Sequence, residues 1–204
     1  VAVDLREHII MQSLRLFSLK GFLATSLHDI QEATGTSKGG FYNHFRSKED
    51  LLLAVLSQAR KLWRERNLTG IEETASPLGR VKRILENYRD RYLKDTEHFP
   101  GGCVFVALSV ELDDQRPRLG REISEGFTRL RALIRRLLDQ ARQAGELAPG
   151  TDTEALAEMI FAGMIGSSVL FSMEKSSASL DRMINSLMGF LDRPTRGDSL
   201  RFDA

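Results

Sequence analysis

Apolar residues recur along this chain at intervals of three and four, the spacing that lines one face of a helix. Leu5, Ile9, Leu16 and Phe17 keep that spacing from about Asp4 to Lys20, and Gly21, free to take positive φ, closes the element. Ser26 caps a second helix, with Asp29 three residues on as a weak capping box; Gly35 ends it soon after Ala33. Ser37 caps a third helix carrying Phe41, Tyr42 and Phe45. Ser47, with Asp50 three residues on, caps a fourth from Lys48 to about Asn67, with an extension to Glu73 open. Three helices with two tight connections thus fill the first fifty residues.

Longer helices follow. Ser76-Pro77 reads as an N-cap and first-turn proline, opening a helix to about Asp95. A loop containing His98, Pro100, Gly101 and Gly102 leads to a short apolar helix from Cys103 to Leu112. From Pro117 or Arg118, a long amphipathic helix sets Leu119, Ile123, Phe127, Leu130, Ile134, Leu137 and Ala141 on one stripe, and Gly145 closes it. Thr151 and Glu154 form a capping box for a helix to about Met173. The last helix spans about Ala178 to Leu191, and the polar tail beyond Pro194 is expected to fray. No period-two alternation is sustained, so strands are not expected. The fold class is all-α with about nine helices.

Composition narrows this little. A length of 204 residues suits one or two domains, and the net charge of +1 does not advertise a polyanion partner. No run approaches the roughly 18 consecutive apolar residues of a membrane span, so no membrane partner is expected. No basic-then-apolar start reads as a signal peptide. The single cysteine, Cys103, cannot form an intramolecular disulfide, which suggests a reducing, cytoplasmic setting. His8, His28, His44 and His98 are scattered without metal-ligand spacing, and no phosphate loop or nucleophile signature appears. Neither a metal, a cofactor nor an enzyme activity is expected.

Local charge says more than net charge. Between Glu32 and Glu49 the only formal charges are Lys38, Arg46 and Lys48, with His44 nearby. Two short helices joined at Gly35 make a helix-turn-helix, whose second helix enters the DNA major groove. Ile30, Ala33, Phe41 and Phe45 are expected to bury one side. The other offers Thr36, Ser37, Lys38, Gly39, Gly40, Tyr42, Asn43 and His44. Adjacent helical glycines each cost roughly 1 kcal/mol relative to alanine, and they let backbone approach a partner closely. Asn43 can read adenine and Lys38 can reach a base or a phosphate. Tyr42, His44 and Lys48 can donate to phosphates, and Ser26 can offer its hydroxyl or the helix-start amides. Tyr42 can also be partly core, while His28 reads as an exposed helix residue and Arg46 as loop decoration.

These residues resemble the N-terminal domain of the TetR family of regulators. The resemblance is carried by Ile9 to Phe17 with Lys20-Gly21-Phe22, by Thr25 to Ile30, by Gly35 to Phe45, and by Ser47-Lys48-Glu49-Asp50-Leu51. It implies a helix-turn-helix domain over 1–50 and a helical ligand-binding and dimerisation domain over 51–194, ahead of the polar tail over 195–204. It implies backbone contacts at Ser26, Tyr42, His44 and Lys48, and base reading at Thr36, Ser37, Lys38 and Asn43. Gly40 departs from the family, which usually has threonine or a similar residue there. The implied function is repression from a palindromic operator in double-stranded DNA, relieved by a small-molecule effector.

The run from Gly102 to Leu112, with the long helix and Gly145-Glu146-Leu147, looks like one common branch of the family. Candidate ligand-binding residues are Trp63, Tyr88, Tyr92, Phe99, Cys103, Phe105, Phe127, Phe161 and Met164, a mixture suited to an apolar or aromatic effector. Core packing is the competing reading of each. Arg89 and Arg131 can meet an anionic group only if they turn inward. Cys103, at a helix start that favours thiolate, is either a small buried residue or, as in some relatives with a Gly-Cys pair, a sensor of electrophiles or oxidants. The last two helices carry surplus apolar surface: Leu156, Ile160, Met164, Ile165, Val169 and Phe171, then Leu180, Met183, Ile184, Leu187 and Met188. With Gly163, Gly166, Ser167 and Ser168 keeping one helix narrow, they suit a four-helix homodimer interface. An architectural DNA binder without ligand control is the alternative, and the long apolar second half speaks against it.

Overall fold

The computed structural model describes residues 4–112 and 116–192. Nine α-helices are described: α1 (Leu5–Lys20), α2 (Leu27–Thr34), α3 (Lys38–Tyr42), α4 (Lys48–Asn67), α5 (Pro77–Asn87), α6 (Val104–Leu112), α7 (Pro117–Gln143), α8 (Thr153–Glu174) and α9 (Ser177–Leu191). No strand occurs among the described residues. The predicted tail over 195–204 lies outside them.

Caps explain most of the boundaries. Asp4, Ser26, Ser37, Ser47 and Ser76 each accept a backbone N–H of the helix they start. At Gly35 the chain turns with φ +64°, a conformation that favours glycine. Several sequence expectations need correction. Phe45 lies past the end of α3 yet is buried, while Ala33 is exposed. Helix α4 ends at Asn67 as expected, without the extension to Glu73, and Asn87 Nδ2 donates to the Asn67 and Thr69 carbonyls at that end. The cap of α8 is Asp152 rather than Thr151, because the Asp152 carboxylate accepts from both Glu154 and Ala155. The helix expected to run unbroken to Asp95 instead widens after Asn87 into a π-helical segment, Tyr88–Leu93, a form common at functional sites.

Ile9, Leu14, Phe17, Phe22, Ile30, Phe41 and Phe45 form the core of the first three helices, closed by Leu51, Leu52 and Val55 of α4. Helix α4 therefore belongs to both halves of the molecule. In the second half α7 packs on α5, α6 and α8, and α8 on α9. Helix α6 packs back on α1 and ties the halves together. The Glu111 carboxylate accepts from the Phe22 N–H at 2.7 Å and the Leu23 N–H at 2.6 Å. Gly101 N–H donates to Ser18 Oγ at 3.0 Å, and the same hydroxyl donates to the Gly102 carbonyl. Only glycine fits at 101, where a Cβ would lie 1.6 Å from the Ser18 carbonyl oxygen. Arg15 adds a hydrogen bond to the Glu97 carbonyl.

Helix α8 has the length and mean hydropathy, 1.6, of a membrane span, which the sequence count of consecutive apolar residues did not register. In this fold it packs between α7 and α9 while leaving one side uncovered.

Candidate nucleic-acid interface and ligand cavity

The helix-turn-helix is held from below by aromatic packing. Phe41 is fully buried, its ring centroid 5.7 Å from Phe45 and 5.3 Å, edge-on, from Tyr42. Tyr42 rests on the core through Phe41 but is 46% exposed, so its hydroxyl end is free to reach outward. Ser37, Lys38, Gly39 and Asn43 are exposed, and Thr36 and His44 are half-buried. Lys38 has no ion-pair partner among the described residues. At Gly40, where the chain departs from the family, a Cβ would lie 2.5 Å from Thr36 Oγ1, so a larger residue would require the Thr36 side chain to turn away.

Two predicted phosphate ligands are engaged inside the domain instead. Lys48 Nζ donates to the Phe22 and Thr25 carbonyls, both at 2.8 Å, and sits 4.4 Å over the Phe22 ring. Partial burial pushes its pKa down. Lys48 thus fixes the α1–α2 turn from the start of α4. Ser26 gives its N–H and its hydroxyl proton to Asp29 Oδ2 at 2.7 and 2.6 Å. Hydrogen bonds from Ser26 and then Lys20 hold the Asp29 carboxyl well below the usual carboxylate range. That carboxylate occupies the start of α2, where a phosphate was expected. Sequence reasoning missed Arg6, an exposed cation 5.4 Å from the Phe45 ring, because its place beside α3 is set by tertiary packing.

The second half holds a cavity of about 250 Å³. Seven predicted residues line it: Trp63, Tyr88, Cys103, Phe105, Phe127, Phe161 and Met164. Tyr92 and Phe99 do not; they are packed behind it, their ring centroids 4.6 Å apart, as core. The Tyr92 hydroxyl donates to Cys103 Sγ at 3.4 Å. Burial pushes the Cys103 thiol up, against the lowering expected at a helix start. Arg89 is held by Asp90 and Asn185, outside the cavity wall, and Arg131 lies 5.7 Å from the Phe161 ring. The basic residues that do line the cavity are Arg60, Arg64 and Arg129. An i,i+4 pair on α4 was available as a signal for the first two, but nothing in the periodicity showed which face α4 turns to the cavity.

Residues 9–55 match the family model for bacterial regulatory proteins of the tetR family, and residues 77–187 match the tetracyclin repressor-like C-terminal domain. The chain belongs to the TetR family. A TetR transcriptional regulator from Chloroflexus aurantiacus has a similar structure, with a TM-score of 0.85 and 30% identity over 93% of this chain and 95% of that one. The repressor NemR of Escherichia coli is 24% identical over 192 residues, covering 94% of this chain and 96% of NemR. An HTH-type regulator from the lacX 3′ region of Lactococcus lactis is 34% identical over 123 residues; the match spans 59% of this chain and 63% of that protein. The N-terminal match, residues 9–55, contains the helix-turn-helix of α2 and α3.

Proposed function

We propose that this TetR-family chain is a cytoplasmic repressor that binds a palindromic operator as a homodimer and lets go when a small molecule fills the cavity. The observation that carries the reading is the division of labour within one core. The face of α3 is exposed and free of acids, the cavity lies in the other half, and α4 runs from one to the other. On the DNA face, Lys38 and Asn43 address bases with help from Thr36, Ser37 and Gly39. Tyr42, His44 and Arg6 address phosphates, while Lys48 and Ser26 position the turn.

The pairing surface follows from what α8 leaves uncovered. Ala155, Met159, Ala162, Gly166, Val169 and Met173 form one stripe at intervals of four and three, and a Cβ on Gly166 would meet nothing within 4 Å. Leu170 is exposed beside it. A second copy would cover this stripe, with the half-buried Leu187 and Met188 of α9 alongside. Of the apolar residues expected at the interface, Ile160, Met164, Phe171, Leu180 and Ile184 instead fill the core of a single chain.

Release is a change in the spacing of the two α3 helices. The cavity touches α4 through Arg60, Trp63 and Arg64, and touches α6 through Phe105. Both helices hold the DNA-binding half, α4 through Leu51, Leu52 and Val55 and α6 through Glu111. A shift in either alters half-site spacing, which a palindrome does not tolerate. Selection of bound duplexes from a random library tests this reading. An inverted repeat bound by two chains, with steep salt dependence, is the expected result. Salt-dependent but sequence-indifferent binding would favour an architectural role.

A further inference from the structure

We infer that the cavity takes an amphipathic organic anion, with an aromatic or acyl body and a carboxylate-class head held by Arg60 and Arg64. This rests on the reading of the cavity as the effector site and sharpens the apolar ligand expected from its aromatic residues.

The walls divide the ligand into two parts. Tyr88, Phe105, Phe127, Phe161 and Met164 surround an apolar body. Arg60, Arg64 and Arg129 add three cations, and no aspartate or glutamate lines the cavity among the described residues. Arg64 has no hydrogen-bond or ion-pair partner for its guanidinium among those residues. Arg60 donates through Nη2 to the Glu122 carbonyl at 3.0 Å and to Glu122 Oε2 at 2.8 Å, which fixes its plane. Its Nε is buried and has no acceptor. A buried donor without an acceptor is uncommon and unfavourable, and a ligand oxygen would satisfy it. Arg129 is only loosely engaged, 3.4 Å from Glu125, with both side chains 63% exposed.

A purely hydrocarbon ligand would leave the Arg60 Nε unpaired, and a cationic one would face the unpartnered Arg64 guanidinium with no acid among the described residues of the cavity wall to offset it. A planar carboxylate matches the free guanidinium fork of Arg64, while Arg60, its Nη2 already donating twice to Glu122, offers the single Nε–H. Arg60 and Arg64 stand one turn apart on α4, flanking Trp63 in sequence. The head group would therefore bear directly on the helix that carries the DNA-binding half.

Trp63 is the only tryptophan of the chain and lines the cavity, so its fluorescence reports occupancy directly. The probes are 4-phenylbutyrate and decanoate, each titrated beside its own primary amide into the full chain. The expected result is that each acid quenches Trp63 with at least about tenfold higher affinity than its amide. Arg64→Gln should reduce the acid toward the amide and leave the amide unchanged. The exposed, unpartnered Arg64 makes this variant safe for folding, and Arg60→Gln is the second arm. Equal affinity of acid and amide overturns the inference, as does failure of both acids to bind at millimolar concentration. So does an Arg64→Gln variant that weakens acid and amide alike. An amide that binds and releases operator as well as its acid removes the anion but leaves the effector reading intact. The effector reading fails separately, if ligands that occupy the cavity leave operator affinity unchanged.

Discussion

Replacing Glu111 by alanine removes the one carboxylate that reaches from α6 into the DNA-binding half. Two backbone donors lose their acceptor. The Phe22 N–H belongs to a residue only 1% exposed, whereas Leu23 is 41% exposed and its N–H can turn to water. The loss of stability therefore comes mainly from one orphaned buried donor, about 1–3 kcal/mol. Glu111→Gln keeps one carbonyl acceptor but faces the other N–H with an NH₂ group, so its loss should fall at the lower end of that range. Urea unfolding followed by circular dichroism measures both, at unchanged m-value. Val110→Ala is the control, since Val110 is 82% exposed and next in sequence. A second readout separates packing from coupling: a cavity ligand should reduce operator affinity less in Glu111→Ala than in the wild type. If Glu111→Ala unfolds at the wild-type midpoint and responds fully to ligand, the contact does not tie the two halves and α4 alone must transmit the signal.

Lys48→Ala should lower stability by about 1–3 kcal/mol and weaken operator binding without changing its salt slope, whereas Lys38→Ala should reduce that slope by about one. Unfolding curves and salt titrations together check the pair, and a reduced slope in Lys48→Ala would return that lysine to the phosphates. Burial raises the Asp95 pKa, but hydrogen bonds from the His98 side chain and backbone, with the Arg66 charge, outweigh it and leave the carboxyl below its usual value. A carboxyl depressed in the folded state contributes stability that is present above its unfolded pKa, about 3.9, and lost as pH falls through the folded value. Asp95→Asn should therefore flatten the acid limb of the wild-type stability profile, as measured by unfolding from pH 6 downward. Val169→Asp would place like charges against each other across the α8 stripe and should yield monomer in light scattering, with loss of operator binding; a dimer that survives would move the interface elsewhere.

The helices were legible because their caps are local. Ser26, Ser37, Ser47 and Ser76 each announce a start that the structure keeps, and Gly35 announces the turn. What escaped depends on contacts distant in sequence. Lys48 looks like a free cation until Phe22 and Thr25, more than twenty residues earlier, bring their carbonyls to it. Ala33 fits the apolar spacing of α2, but a helix of eight residues has too few turns for that spacing to fix its face. Thr151 and Glu154 have the letters of a capping box, but the adjacent Asp152 carboxylate captures the amides first. The aromatic cavity wall was partly visible because large apolar side chains on the middle helices have few other places to go. Tyr92 and Phe99 share that chemistry and pack one layer deeper, which composition does not encode.

The reading of this chain as an operator-binding repressor depends on the acid-free face of α3 reading a specific duplex. Fluorescence anisotropy addresses it, with the selected operator and a scrambled duplex titrated with wild type and Asn43→Ala at several salt concentrations. Wild type should prefer the operator by about 10³-fold or more. Asn43→Ala should lose about 1–3 kcal/mol of discrimination at one or two base pairs while keeping the same salt slope. Equal affinity of wild type for both duplexes, or an Asn43→Ala variant with unaltered preference at every base pair, would contradict sequence reading by this face.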